Sequence, residues 1–204
     1  MKQLVVGVLL AVGALLLAFY VAPWRSTVTP RDLPPELADE PDIYMQNATI
    51  TQYQADGLIQ YRLRSAQIRH FEAEKLTRLI EPDLSLYNHP EPPWRATSER
   101  GYIRRRTNDA GVEEEVVYLR DNVVLHKSGN AGEEITMRSP AFYIYPERQY
   151  AETDQDVMID TEVGRTSAHG LQGDLKRGLL KLFSNTDAPV HTIILPEQFK
   201  QASS

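Results

Sequence analysis

Cysteine is absent from the 204 residues. Its absence removes disulfides, a thiol nucleophile and thiolate metal sites from consideration. Positive charge is also short: Lys and Arg number 22 against 28 Asp and Glu, and setting Lys2 aside leaves 21 against 28, a net charge of −7 on the rest of the chain. Such a balance argues against nucleic acid and against a polybasic patch for lipid surfaces. Catalytic patterns are missing too. The five histidines, His70, His89, His126, His169 and His191, never fall at metal-ligand spacing, and no serine sits in a nucleophile-elbow pattern. Asp154 and Asp156, the nearest thing to a carboxylate pair, fall in a turn, where solvated acids are ordinary. The expectation is a protein that is not an enzyme and uses no metal or cofactor. Finally, no stretch beyond residue 22 sustains a helical period.

What the sequence does contain begins with one long apolar run. Leu4 to Ala22 is nineteen residues without a charge, a polar amide or a proline. As a helix it is roughly 28 Å long, close to a bilayer's hydrocarbon core. Signal-peptide cleavage needs small residues at −3 and −1. Cutting after Ala22 puts Tyr20 at −3, and cutting after Ala18 puts Leu16 there, so an uncleaved anchor over residues 1–22 is expected. Gly7, Ala11, Ala14 and Ala18 form a stripe of small residues on one face, the kind that lets another membrane helix approach closely. Equally, Gly and Ala are simply common in spans. The bulk of the chain follows the anchor and is expected across the membrane.

Residues 23–41 carry Pro23, Pro30, Pro34, Pro35 and Pro41. Proline at that density forbids a regular helix and favours an extended tether. From residue 42 to 196 the signals are of strands, followed by a short tail, 197–204. Tyr44–Gln54 and Leu58–Phe71 flank Asp56-Gly57, a hairpin turn, with Gln52 opposite Tyr61, Ile50 opposite Leu63 and Ala48 opposite Ser65. Beyond Ser65 the apolar phase slips to Ala66 and Ile68, which predicts a bulge. A second hairpin turns at residues 108–111, and its expected register sets Arg106, Arg105 and Arg104 against Glu113, Glu114 and Glu115. Further strands are expected at 83–87, 94–98, 118–127, 135–138, 141–145, 156–160, 165–169 and 179–183, with 190–195 as strand or short helix. Leu63–Ile68 resembles Met137–Phe142 and, more loosely, Thr166–Leu171. Asp121–Leu125 likewise resembles Gln155–Ile159. Such self-similarity implies one strand-pair unit stacked repeatedly into an elongated β-sandwich with unpaired edges.

Taken together, the N-terminal anchor, PDIYMQNATITQYQADGLIQYRLRSAQIRHFE, EPDLSLY, PPWRATSERGYI, VYLRDNVVL and DQDVMIDTEVGRTSAHGLQGDL resemble the LptC family of lipopolysaccharide transport proteins. The order and spacing of these segments carry the resemblance. It implies an all-β, open, twisted β-jellyroll tethered to a single transmembrane helix in the inner membrane, with the C-terminal domain in the periplasm. It further implies lipopolysaccharide as cargo, LptF and LptG of the LptBFG ABC transporter as donors, and LptA as acceptor. The linker is richer in proline, and the Arg/Glu hairpin longer, than the resemblance leads one to expect.

A sheet that houses acyl chains needs an uncharged inner face. Ala48, Ile50 and Leu63 supply one, joined by Leu79, Leu84, Leu86, Leu119, Phe142, Ile144, Ile159, Leu180 and Leu182. For each of these the competing reading is ordinary core packing. The early strand, residues 44–53, is expected to face the transporter, and the segment 164–183, with Gly164, Gly170, Leu171 and Leu180, to face LptA. With glutamates opposite the arginine triplet, lipid affinity is expected to come from buried acyl chains rather than from phosphate contacts. The rival without a lipid cavity is a tethered scaffold or carbohydrate-binding module. It needs an exposed row of aromatics, for which Tyr143 and Tyr145 offer at best a pair.

Overall fold

Alternating apolar residues give strands throughout, and the computed structural model, which describes residues 40–107, 111–129, 133–184 and 189–194, is all β. Twelve strands form it: β1 (Ile43–Tyr53), β2 (Ile59–Phe71), β3 (Leu76–Ile80), β4 (Asp83–Asn88), β5 (Glu91–Thr97), β6 (Arg100–Thr107), β7 (Glu113–Ser128), β8 (Glu134–Tyr145), β9 (Tyr150–Thr161), β10 (Gly164–Asp174), β11 (Leu179–Leu182) and β12 (His191–Ile194). The expected anchor, its Gly7, Ala11, Ala14 and Ala18 stripe, and nearly all of the linker lie outside the described residues. Among the described residues no helix is long and apolar enough to cross a membrane.

The long strands each serve two walls. β2 pairs with β4 through Tyr61–Arg64 and with β3 through Gln67–Phe71. β7 pairs with β6 through residues 113–120 and with β5 through residues 124–126. β10 holds β12 along residues 164–167 and β11 along residues 171–174. The first wall therefore runs through β3, β6 and β11 and the second through β4, β5 and β12. The shared strands fold at a corner from one wall to the other.

The sequence repeats mark that corner. Leu63, Ser65 and Ile68 are buried, as are Met137, Ser139 and Phe142 in the second copy and Ala168 and Leu171 in the third. Spacings of two and then three spend one extra residue at the bend, so the inner face stays inward on both sides of it. Between β1 and β2 this is not the expected bulge, because Ala48↔Ser65 and Gln46↔Gln67 keep one register across the bend. Asn47, with φ of 47°, turns β1 in step with β2. Asp121 and Asn122 in β7 are left-handed as well, and Gly170 in β10 has φ of 98°.

The first hairpin pairs as its sequence predicts, with Gln52↔Tyr61, Ile50↔Leu63 and Ala48↔Ser65. The second does not. Arg106 faces Glu114, Arg105 faces Glu115 and Arg104 faces Val116, one residue off the expected register. The observed pairing matches Ile103 with Val117, whose side chain is fully buried between the walls. The expected pairing would have set Ile103 against outward-facing Val116. Burial of apolar area, worth about 25 cal/mol per Å², outweighs a third exposed ion pair worth a few tenths of a kcal/mol.

Candidate functional site

Between the walls lies one continuous apolar core. Leu63, Leu79, Leu84, Leu86, Leu119, Phe142, Ile144 and Ile159 are all buried within it, while Ala48, Ile50, Leu180 and Leu182 pack against it partly exposed. Residues the sequence reading did not single out complete it, among them Trp94, Val117, Val123, Leu125, Met137, Val157 and Leu175. Trp94, Val123, Leu125, Met137 and Val157 lie within strands the sequence predicts and share their alternation, whereas Leu175 lies outside the predicted strands. Ser65, Ser139 and Thr153 are its polar members: Ser65 donates to the Ile80 carbonyl at 2.6 Å, and Ser139 lies 3.3 Å from Thr153.

Opposite the corner, the walls meet along a seam where their turns face each other. Among the described residues four hydrogen bonds cross it. The Tyr61 hydroxyl donates to Glu115 at 2.8 Å, and the Trp94 indole N–H donates to the Leu175 carbonyl at 3.0 Å. The Gln149 amide donates to the Tyr87 carbonyl at 2.6 Å, and the Asn88 amide to the Lys176 carbonyl at 3.3 Å. Burial, and the carboxylate of Glu115 beside it, push the Tyr61 hydroxyl's pKa well above its ordinary value, so it stays a donor. Between the tied walls Leu63, Leu84, Leu119 and Phe142 have no exposed surface. A cavity of about 890 Å³ lies over the corner and is lined by Asp121, Asn122, Pro140, Val157, Met158 and Ala168 among others.

Outside the core, on the outer face of the first wall, Phe71, Leu76, Val116 and Tyr145 are also buried. Arginines cover them: the Arg78 guanidinium lies 4.4 Å from the Phe71 ring centre, and Arg148 and Arg106 lie 4.2 and 5.0 Å from that of Tyr145. Glu114, only 3% exposed, is gripped by Arg106 and by Arg148, whose Nε is 2.9 Å from Oε2 without pointing a hydrogen bond at it. Along the same face Tyr102, Tyr118 and Tyr143 pair across three strands, with ring centres 6.3 and 4.6 Å apart. The three rings form a row, partly exposed at Tyr102 and Tyr118 and exposed at Tyr143. It was invisible along any one strand because it runs across three.

Of the segment expected to face LptA, Leu180 lies on marginal β11, whereas Gly164, Gly170 and Leu171 lie on β10, one strand inside the margin. Leu171 is fully buried. At the other margin β1, among the described residues, pairs only with β2 and exposes Ile43, Tyr44 and Tyr53. Among the described residues no cluster of His, Asp or Glu is arranged to hold a metal ion.

The family described as "Lipopolysaccharide-assembly, LptC-related" matches residues 8–190. The chain belongs to the LptC family. Among solved structures, the LptC-family domain resembles LptH from Pseudomonas aeruginosa, the LptA homologous periplasmic component of the lipopolysaccharide transport device. The likeness has a TM-score of 0.52 at 8% identity and covers 67% of this chain and 95% of that one. At that identity the likeness concerns the fold alone, an LptA-like jellyroll. No curated protein sequence matches the chain significantly.

Proposed function

We infer that this LptC-family protein, a component of the lipopolysaccharide transport bridge, takes the lipid's acyl chains between its two walls and passes them on along the sheet. It receives the lipid from an inner-membrane ABC transporter containing LptF and LptG and delivers it to LptA. The observation that carries this reading is the charge-free interior, tied along one margin by a few hydrogen bonds rather than by continuous strands. Parting the seam exposes that interior, and each buried CH₂ then offers roughly 0.8 kcal/mol to an incoming chain, less the cost of displaced core contacts. The two free margins suit strand addition, β1 toward the transporter and β11 with β12 toward LptA. The N-terminal anchor holds the domain at the inner membrane.

Photo-crosslinkers placed on one strand test the interior assignment. From Leu63 and Leu84, which point inward, lipopolysaccharide is captured; from Arg64 and Ser85, which point outward on the same strands, it is not. Capture from both sets alike, or from the outward set alone, refutes the interior site.

A further inference from the structure

The one-residue shift of the β6–β7 register changes what the arginines can do. Arg104 stands opposite Val116 instead of a glutamate, and among the described residues no acid pairs with it. Arg78 reaches Glu74 only at 3.5 Å, with both side chains nearly half exposed, and Arg106 reaches Glu114 at 3.3 Å. These three guanidiniums surround a groove of about 710 Å³ on the outer face of the first wall, with Leu76 and Val116 in its floor and Tyr102, Tyr118 and Tyr143 along its side. Arg105 and Glu74 complete the groove's lining.

We propose that this groove binds a phosphorylated saccharide, the head group of the glycolipid whose chains enter the interior. The proposal rests on the transport reading above. Guanidinium groups match phosphate oxygens two at a time, and Arg104 has its donors to spare. Phenol hydroxyls donate to and accept from sugar hydroxyls, and aromatic rings lie against the C–H faces of a sugar. The groove's position supports this pairing of sites. Arg104 to Arg106 approach the turn end of β6, at the seam, so a lipid lying across that margin can keep its chains between the walls and its head outside. A bilayer surface would favour a flat polybasic face, whereas this one is concave and walled by tyrosines. The acyl chains supply most of the affinity and the groove fixes the orientation of the head.

Calorimetric titration of the full-length protein in non-ionic detergent tests the site, with a bisphosphorylated glucosamine disaccharide lacking acyl chains as the probe. Binding is expected, weakened about tenfold by Arg104→Gln, since a hydrogen bond to a charged group is worth roughly 1.5–3 kcal/mol. Tyr118→Phe, which keeps the ring and removes only the hydroxyl, is expected to weaken it severalfold, and Arg64→Gln, on the outer face of the second wall, to leave it unchanged. No binding, or binding indifferent to Arg104→Gln, overturns the site. Inorganic phosphate held as tightly as the disaccharide overturns its saccharide part. Preferential binding of anionic vesicles or of an acidic peptide through the same arginines overturns it as well. If the disaccharide fails while intact lipopolysaccharide still crosslinks from Leu63, the groove is refuted and the interior reading stands. Arg104-dependent disaccharide binding without interior crosslinking supports the groove and refutes the interior.

Discussion

Replacing Trp94 with Phe probes the seam directly. The indole N–H donates to the Leu175 carbonyl at 3.0 Å in a site where Trp94 is 5% and Leu175 1% exposed. Phenylalanine keeps an aromatic ring in place but strands a buried acceptor, at a cost of roughly 1–3 kcal/mol. The smaller ring leaves a void that adds about 1 kcal/mol. A total of about 2–4 kcal/mol is a large share of a typical 5–15 kcal/mol but leaves the domain folded. With a urea m-value of about 2 kcal/mol/M, the unfolding midpoint should fall by about 1–2 M at unchanged m. Leu119→Ala is the matched control, since a fully buried leucine far from the seam costs a similar 2–5 kcal/mol. If lipid enters by parting the seam, Trp94→Phe increases lipopolysaccharide crosslinking from Leu63 while Leu119→Ala does not. Equal increases in both variants would mean that general instability admits the lipid, and no increase in either would refute the seam as its route.

Other perturbations separate the remaining claims. Half-buried Ile50 changed to Asp should abolish capture of intact lipopolysaccharide inside, and in the Arg104→Gln variant, which removes the outer groove's unpaired cation, affinity for the intact lipid should change less than about threefold between low and high salt, because apolar burial is little screened; strong salt dependence in that variant would count against chain burial. Proline at Leu180 removes a ladder donor from marginal β11 and should block LptA association in pull-downs while sparing the transporter complex, and survival of both would refute edge pairing there. Asp160 accepts from Arg165 at 2.5 Å and also pairs with Arg138, while Asp121 accepts from Arg100 at 2.6 Å and from Arg120 at 3.1 Å, so both carboxyls are held below their ordinary value. Because the folded pKa values are the lower ones, the stability they confer is present above pH about 4 and is lost as pH falls through them; Asp160→Asn and Asp121→Asn should flatten that acid limb in thermal melts, and an unchanged limb would refute the assignment.

Where the chain was legible, local chemistry and global packing agreed. Asp56-Gly57 fixes a hairpin whose pairing also puts Leu63 and Ile50 on one face, so turn and core select one register. Short β3, Leu76–Ile80, escaped notice because Leu76 and Leu79 sit three apart, one facing the outer cluster and the other the core. Strand 134–145 was read as two pieces because Pro140 interrupts it, yet proline there occupies the corner, where β8's ladder to β9 is broken between Arg138 and Tyr143. The Arg/Glu ribbon misled for the opposite reason: charges visible along the sequence were weighed, while the partner that set the register, Val117 against Ile103, is a tertiary choice. A row such as Tyr102, Tyr118 and Tyr143 exists only once three strands have been placed side by side.

The shared strands at the corner have a consequence for cooperativity. A sandwich made of two separate sheets has a natural plane of failure, and one half can loosen while the other holds. Here β1, β2, β7, β8, β9 and β10 each contribute hydrogen bonds to both walls, so neither wall is a separate unit of unfolding. Amide exchange in β7 should therefore be slow on both sides of Asp121 and collapse in a single transition. On the proposed route of lipid entry the walls part at the seam, like covers on a bound spine, and every described strand keeps its partners.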